Sequence, residues 1–287
     1  MEKRFYKCPA CSADNAWSLD RCCVCKADLG PPLRRELLRA EEKDALDKRY
    51  AAAWAAASAE GYGTKLKDFE VEVQSNSVAT INVWPAFLDQ MLSGGALYSG
   101  YSRLVSSEVR WPGARDDDQA RTAVESILFG SLAAEIRYAA LSMDGRGLLS
   151  YGSCTIVLRE MMVAASATLL EDNSYKFVRD RQLMFDSNIP AGYRATWEDR
   201  HKLVVSKLGA RIAAAQPPIN SAGILLFSEG DRQTDIFVEI HIWGPFDQQS
   251  IDWVRIPDPQ GAADDQKFYL LKIRDQMKNR NQRCEIA

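Results

Sequence analysis

The sequence predicts an α+β protein made of a small cysteine-rich module followed by a larger mixed domain. Two Cys-x-x-Cys pairs lie near the start of the chain. Beyond residue 64, segments with the alternating apolar pattern of strands are interleaved with segments that favour helix. They lack regular βαβ spacing, and no Gly-x-Gly-x-x-Gly or Gly-x4-Gly-Lys-Ser/Thr motif occurs, so we exclude a Rossmann or P-loop domain. Strands and helices mixed in this irregular way indicate the α+β class.

The composition restricts the classes of function. Of the 287 residues, 46% are hydrophobic and 26% are charged, which is ordinary for a folded protein. The net charge of −3 excludes nucleic-acid binding through overall charge, so such binding would need a local basic patch. No apolar signal segment opens the chain, and no apolar run reaches the roughly 18 residues of a membrane span. We therefore expect a cytoplasmic protein that does not enter a membrane, in which clustered cysteines bind metal.

Cys8, Cys11, Cys22 and Cys25 have the spacing of a tetrahedral zinc site. Each Cys-x-x-Cys turn lets two thiolates reach one metal at about 2.3 Å, and two turns complete the tetrahedron. A site closed by four thiolates has no position for a reacting water, so we expect a structural Zn²⁺. A segment of about 25 residues buries too little apolar surface to fold alone, and the metal would replace that core. Redox-active or free thiols are the alternative, and we expect Cys23 to lie outside the ligand set.

The pattern C-x2-C-x3-N-x6-C-x2-C, with Asn15 between the cysteine pairs, resembles the Ran-binding-protein type of zinc finger. Members of that family bind ubiquitin or single-stranded RNA, so the resemblance implies a recognition module. Residues 12–13 read Ser-Ala where the ubiquitin binders have Thr-Phe, and Tyr6 replaces the family's leading Trp. Residues 16–18 read Ala-Trp-Ser where the RNA binders carry arginines. The ligand of the finger therefore stays open.

Two features of the finger bear on its ligand. Trp17 either covers the zinc site or stacks on a base or a protein partner. Basic residues around the finger either form a cationic surface for nucleic acid or are ordinary solvated charge, because acidic neighbours partly cancel them. These basic residues are Lys3, Arg4, Lys7, Arg21, Lys26, Arg34 and Arg35.

We divide the chain into a four-cysteine finger (1–30), a connector helix (31–63) and an α+β domain (64–287). A Gly-Pro-Pro sequence at 30–32 ends the finger. The following Leu, Arg, Glu, Lys and Ala residues favour helix. The alanine-rich run Ala51–Ala59 indicates close packing against another surface, with a coiled-coil or docking role as the alternative.

The α+β domain contains six segments with strand patterns and four with helix patterns. The predicted strands are Phe69–Val73, Ala79–Val83, Cys154–Leu158, Ile224–Phe227, Ile236–Trp243 and Trp253–Ile256. The predicted helices are Trp84–Leu92, Asp117–Arg137, Trp197–Ala215 and Ala262–Asn279.

The predicted strand Ile236–Trp243 is the most informative segment. Its period of two gives an unbroken apolar face made of Ile236, Val238, Ile240 and Ile242. The opposite face carries Phe237, Glu239, His241 and Trp243. A carboxylate and an imidazole between aromatic residues predict the floor of a cleft, with a solvated outer face as the alternative. The other histidine, His201, lies in a polar helical segment and is expected at the surface, so a histidine-based triad is not supported.

A second polar segment surrounds the predicted strand Cys154–Leu158. Tyr151, Ser153 and Thr155 share one face, and Gly152 permits the close approach of a ligand or another backbone segment. We expect either a groove lined by hydroxyl groups or an edge strand with a polar face. The opposite, apolar face consists of Cys154, Ile156 and Leu158.

The order of five short motifs resembles bacterial ADP-ribosyltransferase-fold proteins, which include toxin-like proteins. The strands of that family read arginine-tyrosine, tyrosine-glycine, and glutamate-x-glutamine-(x)-histidine-glycine. The similarity covers about residues 85–256. The motifs here are Glu125-Ser-Ile-Leu-Phe-Gly130, Arg137-Tyr-Ala-Ala-Leu141, Tyr151-Gly-Ser153, Asp172-Asn-Ser174 and Phe237-Val-Glu-Ile-His-Ile-Trp-Gly244.

The resemblance implies that Glu239 is the catalytic carboxylate. It would bond a hydroxyl of the nicotinamide ribose of NAD and stabilise positive charge as the glycosidic bond loosens. His241 stands two residues later, where transferases often carry the Gln or Glu that governs the acceptor, and it is the second candidate catalytic residue.

The resemblance also implies residues that would bind NAD. Arg137 would hold a phosphate or ribose with its planar donor group, and Arg103 is the competing candidate. Tyr138 or Tyr151 would stack on the nicotinamide. The remaining candidates for NAD binding are Gly152, Ser153, Asn173 and Ser174.

The sequence thus predicts an NAD-dependent mono-ADP-ribosyltransferase with structural zinc. It would modify a macromolecule that the finger helps to recognise, with RNA or DNA favoured over protein. The resemblance further implies a toxin or antiphage role and an antitoxin or chaperone partner. The alternative is a non-enzymatic protein in which the finger binds nucleic acid or protein and the larger domain is a scaffold. Convergence of Glu239, Tyr151 and an arginine on one concave site would favour the enzyme.

Overall fold

A computed structural model describes residues 5–94, 98, 115–185, 187–216, 218–232 and 234–287. It is a mixed α+β structure with the four-cysteine finger at its N-terminus. The strands are β1 Phe5–Lys7, β2 Asp14–Ala16, β3 Val78–Val83, β4 Ile136–Ser142, β5 Cys154–Leu158, β6 Ala167–Leu170, β7 Arg194–Thr196, β8 Glu239–Trp243, β9 Ile251–Ile256 and β10 Cys284–Ile286. The helices are α1 Pro32–Leu37, α2 Ala40–Ala59, α3 Gly63–Asn76, α4 Pro85–Leu92, α5 Arg115–Phe129, α6 Glu160–Val163, α7 Ser174–Asp180, α8 Arg200–Ala214, α9 Ser221–Leu225 and α10 Asp264–Asn279.

Eight strands form one sheet in the order β10-β9-β5-β3-β4-β8-β6-β7. All neighbouring pairs are antiparallel except β10 and β9, which are parallel. Strand β8 lies between β4 and β6, and its register sets His241 opposite both Tyr138 and Thr168. Because paired residues project on the same side of a sheet, this register fixes which side chains meet at the centre of the domain.

One face of the sheet is apolar and packs on helices. Its strand residues include Ile81, Leu141, Ile156, Leu169 and Ile240, all in one buried cluster. Helices α3 and α8 cover this face with a further set of fully buried side chains, namely Leu66, Phe69, Val73, Leu203, Val204 and Leu208. Each such side chain contributes about 1.5–3 kcal/mol through burial, so this apolar face is the main core.

The other face of the sheet carries buried polar side chains. They alternate along each strand with the apolar set, as the period of two requires. Those of the central strands are Thr80, Asn82, Tyr138, Ser142, Thr155, Thr168, Glu239 and His241. We call this side the polar face, and it carries the candidate site.

Two predicted strands are wrong. Residues Phe69–Val73 lie in helix α3, because Leu66, Phe69 and Val73 follow the three- and four-residue spacing of a helix and pack on the core. Residues Ile224–Phe227 overlap helix α9, which the side chain of Asn220 caps by accepting the Gly223 N–H at 3.0 Å.

The predicted helix Asp117–Arg137 extends too far. Helix α5 ends at Phe129, and Gly130 adopts φ = +54°, a conformation that glycine tolerates. A 3₁₀ segment follows from Gly130 to Glu135, and strand β4 begins at Ile136. Arg137 is therefore a strand residue, and its side chain direction follows from strand geometry.

The other predicted elements are confirmed to within a few residues. Strand β5 has the predicted bounds, and β8 begins at Glu239 instead of Ile236, which forms an isolated bridge with Phe227. The predicted alternation along β8 is confirmed, because Val238, Ile240 and Ile242 lie in the main core. His201 is not a surface residue. Its side chain is 13% exposed and lies 3.9 Å from the Glu70 carboxylate.

The expected single connector helix is two helices, α1 and α2. Arg39 between them is extended, with ψ = 147°, so the chain turns there. The alanine-rich end of α2 packs closely on another surface, as predicted. Ala57 is fully buried, and a Cβ atom built on Gly209 of α8 would lie 3.8 Å from the Cβ of Ala53. Helix α2 therefore belongs to the core of the domain.

None of the helices in the described part of the chain combines the length and the hydropathy needed to cross a membrane.

Candidate metal centre and active site

The four predicted ligand cysteines come together in the finger. Their Sγ atoms all lie within 4.8 Å of one another, and the Cys8–Cys25 and Cys11–Cys22 pairs are each 3.6 Å apart. A tetrahedral zinc with bonds of about 2.3 Å needs sulfurs about 3.8 Å apart. The cluster can therefore hold a metal ion such as zinc.

The two cysteine turns have the same backbone structure. In the first, the Ser12 N–H donates to the Cys8 carbonyl at 2.8 Å and the Cys8 N–H donates to Ala13 at 2.9 Å. The second turn, which begins at Cys22, makes the equivalent bonds at 3.1 and 2.9 Å. Ser12 and Lys26, each following the second cysteine of its turn, have φ values of 60° and 62°. This repetition presents two pairs of sulfurs to one point.

Asn15 ties the two turns together. It is 1% exposed, accepts the Cys23 N–H at 2.7 Å and donates to the Ala13 carbonyl at 2.8 Å. The central Asn of the finger is therefore a structural residue. Cys23 itself is exposed, outside the four ligands, as expected.

Arg35 attaches the finger to α1. Its guanidinium group donates to the carbonyls of Trp17, Leu19 (2.8 Å) and Gly30 (3.0 Å), and it lies 4.5 Å from the centre of the Tyr6 ring. Arg35 is 7% exposed. The expectation that it belongs to an exposed cationic surface is wrong, because the backbone carbonyls of the finger occupy its donors.

The remaining basic residues divide into two groups. Arg34 is also structural, since it pairs with Glu198 at 3.0 Å. Lys7, Arg21 and Lys26 are exposed on the finger. Lys3 and Arg4 lie outside the described residues.

Trp17 does not take part in the apolar cluster at the cysteines. That cluster contains Leu29 and Tyr6. The half-buried Trp17 ring instead meets Tyr6 edge-on, with ring centres 6.0 Å apart, and has the guanidinium of Arg39 4.7 Å from its centre. It packs at the junction between the finger and α1.

On the polar face, Glu239 and His241 form a buried pair. The Nε2 atom of His241 lies 2.7 Å from Oε1 of Glu239, and the two residues are 4% and 5% exposed respectively. The His241 ring is held edge-on between Phe129 and Tyr138, at centre distances of 4.8 and 5.5 Å. This burial contradicts the alternative of a solvated outer face.

The start of helix α7 supplies two further partners of Glu239. Ser174 Oγ donates to Oε1 of the carboxylate, and Asn173 Nδ2 lies 3.5 Å from Oε2. Asn173 also caps α7 by accepting the N–H groups of Tyr175 and Lys176 at 2.9 and 3.2 Å. This cap fixes the positions of the Asn173 amide and the Ser174 hydroxyl, the two groups that face Glu239. Glu239 thus has three side-chain partners and is placed as a fixed negative charge.

The arrangement differs from a serine-histidine-acid triad. In a triad, the acid and the serine bond different nitrogens of the imidazole. Here Glu239 Oε1 and Ser174 Oγ both approach Nε2 of His241, at 2.7 and 3.3 Å. His241 cannot relay a proton between them, so the cluster is organised around the carboxylate.

A second acidic group lies across Tyr138 from this cluster. The Tyr138 hydroxyl donates to Oε1 of Glu125 at 3.1 Å, and Arg121 Nε pairs with the same oxygen at 3.2 Å. Burial raises the pKa of Glu125, and the negative charge of Glu239 raises it further, while Arg121 lowers it. Burial likewise raises the pKa of Tyr138 well above its usual value, so this phenol stays protonated.

Tyr151 packs against a buried cluster that contains Ala140, the strand partner of Glu239. Burial raises the pKa of Tyr151, the charge of Glu239 adds to the rise, and Arg232 and Arg121 oppose it. The Arg232 guanidinium lies 4.7 Å from the centre of the Tyr151 ring. The charges of Glu239, Arg232 and Arg121 therefore all act on Tyr151. Convergence of these groups on one concave site stays a prediction.

Gly152 and Ser153 occupy the connection that leads into β5. Gly152 has φ = +153°, and a Cβ atom there would lie 2.4 Å from the Val83 carbonyl carbon. The close approach expected at Gly152 is thus made by a strand backbone. Beyond Ser153, Thr155 Oγ1 accepts a bond from Asn82 Nδ2 at 3.2 Å. These contacts fix the position of Tyr151.

Arg137 is not brought together with Glu239. It precedes Tyr138 in β4 and pairs with Ile242, so it projects from the opposite, apolar face of the sheet. Its side chain is fully buried and donates to the Ala134 carbonyl at 3.2 Å. The competing candidate, Arg103, lies outside the described residues.

Three residues of this region were not predicted as site residues: Glu125, Arg121 and Arg232. The four-residue spacing of Arg121 and Glu125 is a recognisable helical ion pair, but only the fold shows that it faces Tyr138. No sequence signal indicated Arg232.

Lys207 of α8 was also missed. Its Nζ atom donates to the Phe237 carbonyl at 2.7 Å and lies 3.5 Å from Oδ1 of Asp172. Burial lowers its pKa, and the negative charge of Asp172 opposes that change. Lys207 joins the segment just before Glu239 to the segment just before Asn173, so it holds the two halves of the cluster together.

No protein-family model matches this chain, and comparison with curated protein sequences gives no match. The site is therefore interpreted from its own residues.

Proposed function

We propose that the protein is an NAD-dependent mono-ADP-ribosyltransferase that modifies a macromolecule, with nucleic acid favoured over protein. The observation that carries the proposal is the buried Glu239 carboxylate, fixed by Ser174 and His241. Tyr138 and Tyr151 lie on the same side of the sheet as this carboxylate, with the guanidinium groups of Arg121 and Arg232 respectively 5.4 and 4.7 Å from the centres of their rings. This supports the chemistry of a sugar cation better than it supports nucleophilic catalysis.

The reaction would begin with cleavage of the bond between C1′ of the nicotinamide ribose and the ring nitrogen. The electron pair of that bond goes to the nicotinamide, which leaves neutral, and positive charge develops on the ribose. A fixed carboxylate stabilises such an oxocarbenium-like state and bonds a ribose hydroxyl. Because Glu239 is already held by three partners, it needs little reorganisation when the charge develops.

The side chains around Glu239 suit the other parts of NAD. We assign the nicotinamide to the rings of Tyr138 and Tyr151, and Asn173 has its amide group beside the carboxylate. Since Arg137 projects from the other face, we assign the phosphates to Arg121 and Arg232. An arginine group suits a phosphate because its planar donors match two oxygens.

We assign the finger a part in holding the target. Trp243, at the end of β8, donates from Nε1 to Oδ2 of Asp20 in the finger at 3.3 Å. The finger therefore adjoins the strand that carries Glu239, and its exposed Lys7, Arg21 and Lys26 provide positive charge. A toxin or antiphage role, with an antitoxin or chaperone partner, belongs to this proposal through the family resemblance.

The test is incubation of the purified protein with NAD labelled in its adenylate part and with cellular RNA, DNA and protein in separate reactions. We expect label in a nucleic acid with the wild type and none with Glu239→Gln. Label in protein instead would change the acceptor class. No label in any reaction would favour the non-enzymatic alternative, in which the finger binds nucleic acid or protein and the domain is a scaffold.

A further inference from the structure

The bond cleavage proposed above uses Glu239 and does not use the second carboxylate of the polar face, Glu125. We propose that Glu125 is the general base that removes the proton from the attacking group of the acceptor. This inference rests on the proposed function, because it concerns the second half of the same reaction. It assigns a task to a helix residue outside the strand that carries Glu239 and His241.

The reaction requires such a base. When an acceptor group X–H attacks C1′, the X–C1′ bond forms with an electron pair of X, and the nicotinamide has already taken the pair from the broken bond. The proton on X must then leave. It passes to a carboxylate and afterwards to solvent, so atoms and charge balance without any further reagent.

Glu239 is poorly suited to accept this proton. Its Oε1 atom takes bonds from Ser174 and His241, and its Oε2 atom faces Asn173. Protonating it would oppose these donors and remove the charge that stabilises the ribose cation. His241 is also unsuitable, because its Nε2 atom is directed at Glu239 and its ring lies between Phe129 and Tyr138.

Glu125 has the position that a base needs. Its side chain is 16% exposed against 7% for Glu239, so it lies closer to the side from which a macromolecule enters. The hydroxyl of Tyr138 binds Glu125, and the ring of the same tyrosine contacts His241. Tyr138 therefore links Glu125 to the Glu239–His241 pair, so an acceptor bound beside this ring would lie near both acidic groups.

The electrostatic surroundings fit this task. Burial and the charge of Glu239 raise the pKa of Glu125, while Arg121 and the Tyr138 hydroxyl lower it. An ordinary glutamate, with a pKa of about 4.3, is a weak base near neutral pH, and a raised value improves it. Because the deprotonated form acts, transfer falls as the pH drops through the raised pKa of Glu125.

A general base also restricts the acceptor. A carboxylate or thiolate acceptor attacks without losing a proton and would not need Glu125. The site therefore suits an uncharged O–H or N–H group, such as a hydroxyl or the N–H of a nucleobase.

The experiment compares Glu125→Gln with wild type, Glu239→Gln and Glu72→Gln. Glu72 is an exposed residue of α3, on the other side of the sheet, and serves as the matched control. Two products are measured in each reaction: free nicotinamide and the labelled acceptor found with the wild type.

We expect Glu125→Gln to lower the ratio of transfer to nicotinamide release by about 10²–10⁴-fold. Both products are measured at saturating NAD, so that weaker NAD binding through Arg121 or Tyr138 does not enter the ratio. Retained release also shows that the variant is folded. Glu239→Gln should form neither free nicotinamide nor labelled acceptor, whereas Glu72→Gln should form both as the wild type does. The remaining transfer by Glu125→Gln should no longer fall at low pH as the wild type does.

Transfer by Glu125→Gln at the wild-type rate would overturn the inference and leave the proposed function standing. Equal loss of both products in a folded Glu125→Gln protein would also overturn it, since the residue would then act in bond cleavage. Absence of both products with the wild type would overturn the proposed function, and the inference with it.

Discussion

The four-cysteine finger and the Glu239 site are both small polar clusters, but they are assembled in different ways. The finger collects its four ligands from two local turns between Cys8 and Cys25. The Glu239 site collects its groups from α5, β4, α7 and β8, and strand register decides which of them meet. We therefore expect the finger to depend on a metal and on local backbone, and the Glu239 site to depend on the whole sheet. Changes confined to one region should therefore leave the other region folded.

Removing the metal gives the largest expected effect. Zinc binding in small finger modules is worth about 10–16 kcal/mol, so a chelator, or Cys22→Ser, should unfold residues 5–30. The sheet should persist because its core lies in α3, α8 and the strands. Zinc content and hydrogen exchange measure the two regions separately, and Cys23→Ser should retain the metal. Equal loss of protection in β3–β5 would show that the two regions fold as one.

The corresponding change in the sheet is Phe69→Ala. Phe69 is 1% exposed in the main core, so its truncation should lower the free energy of unfolding by about 3–5 kcal/mol without loss of zinc. Urea denaturation measures the change. Phe268→Ala is the matched control, because Phe268 is 63% exposed. Loss of zinc from Phe69→Ala would contradict the independence of the finger.

A smaller effect is expected at Lys207. Lys207→Met leaves the Phe237 carbonyl and Asp172 without this partner, which should cost about 1–3 kcal/mol of unfolding free energy. Lys207→Arg should recover part of the loss, and Lys43→Met, an exposed change on α2, should have little effect. If Lys207→Met is as stable as the wild type in urea, the two segments are not joined through this residue.

The smallest effect is expected at the junction of finger and helix. Arg39→Ala removes one guanidinium from the face of Trp17, worth about 0.5–1 kcal/mol at an exposed site. Arg35→Ala should cost more, because it leaves four backbone carbonyls without their donor. Hydrogen exchange of residues 5–30 as a function of urea concentration measures the effect of both variants on the finger. The reverse order of effects would contradict the assignment of Arg35 as the main attachment.

The same contrast explains what the sequence could predict. The metal ligands were predictable because two turns of fixed length bring them together. Glu239 and His241 were predictable as neighbours because residues two apart in a strand share a face. Their burial was not predictable, since the Phe129 and Tyr138 rings that cover His241 come from distant positions in the chain.

Arg137 shows how an error in one boundary propagates. The predicted helix Asp117–Arg137 ended at Arg137 and so did not indicate to which face of a sheet its side chain projects. Once Gly130 ends the helix, Arg137 and Tyr138 are adjacent strand residues and project to opposite faces. The proposed function therefore assigns the NAD phosphates to Arg121 and Arg232, whose charges act on Tyr151 through the packing of α5 and of the loop before β8.

The most direct test of the central proposal is the amount of nicotinamide that purified protein releases from NAD, measured for the wild type and for Glu239→Gln at matched folded fractions. Removing a fixed charge that stabilises a transition state typically lowers the rate by about 10²–10³-fold, and we predict a loss of this size. Equal release by the two proteins, or no release by the wild type, would contradict the assignment of Glu239 as the residue that breaks the bond.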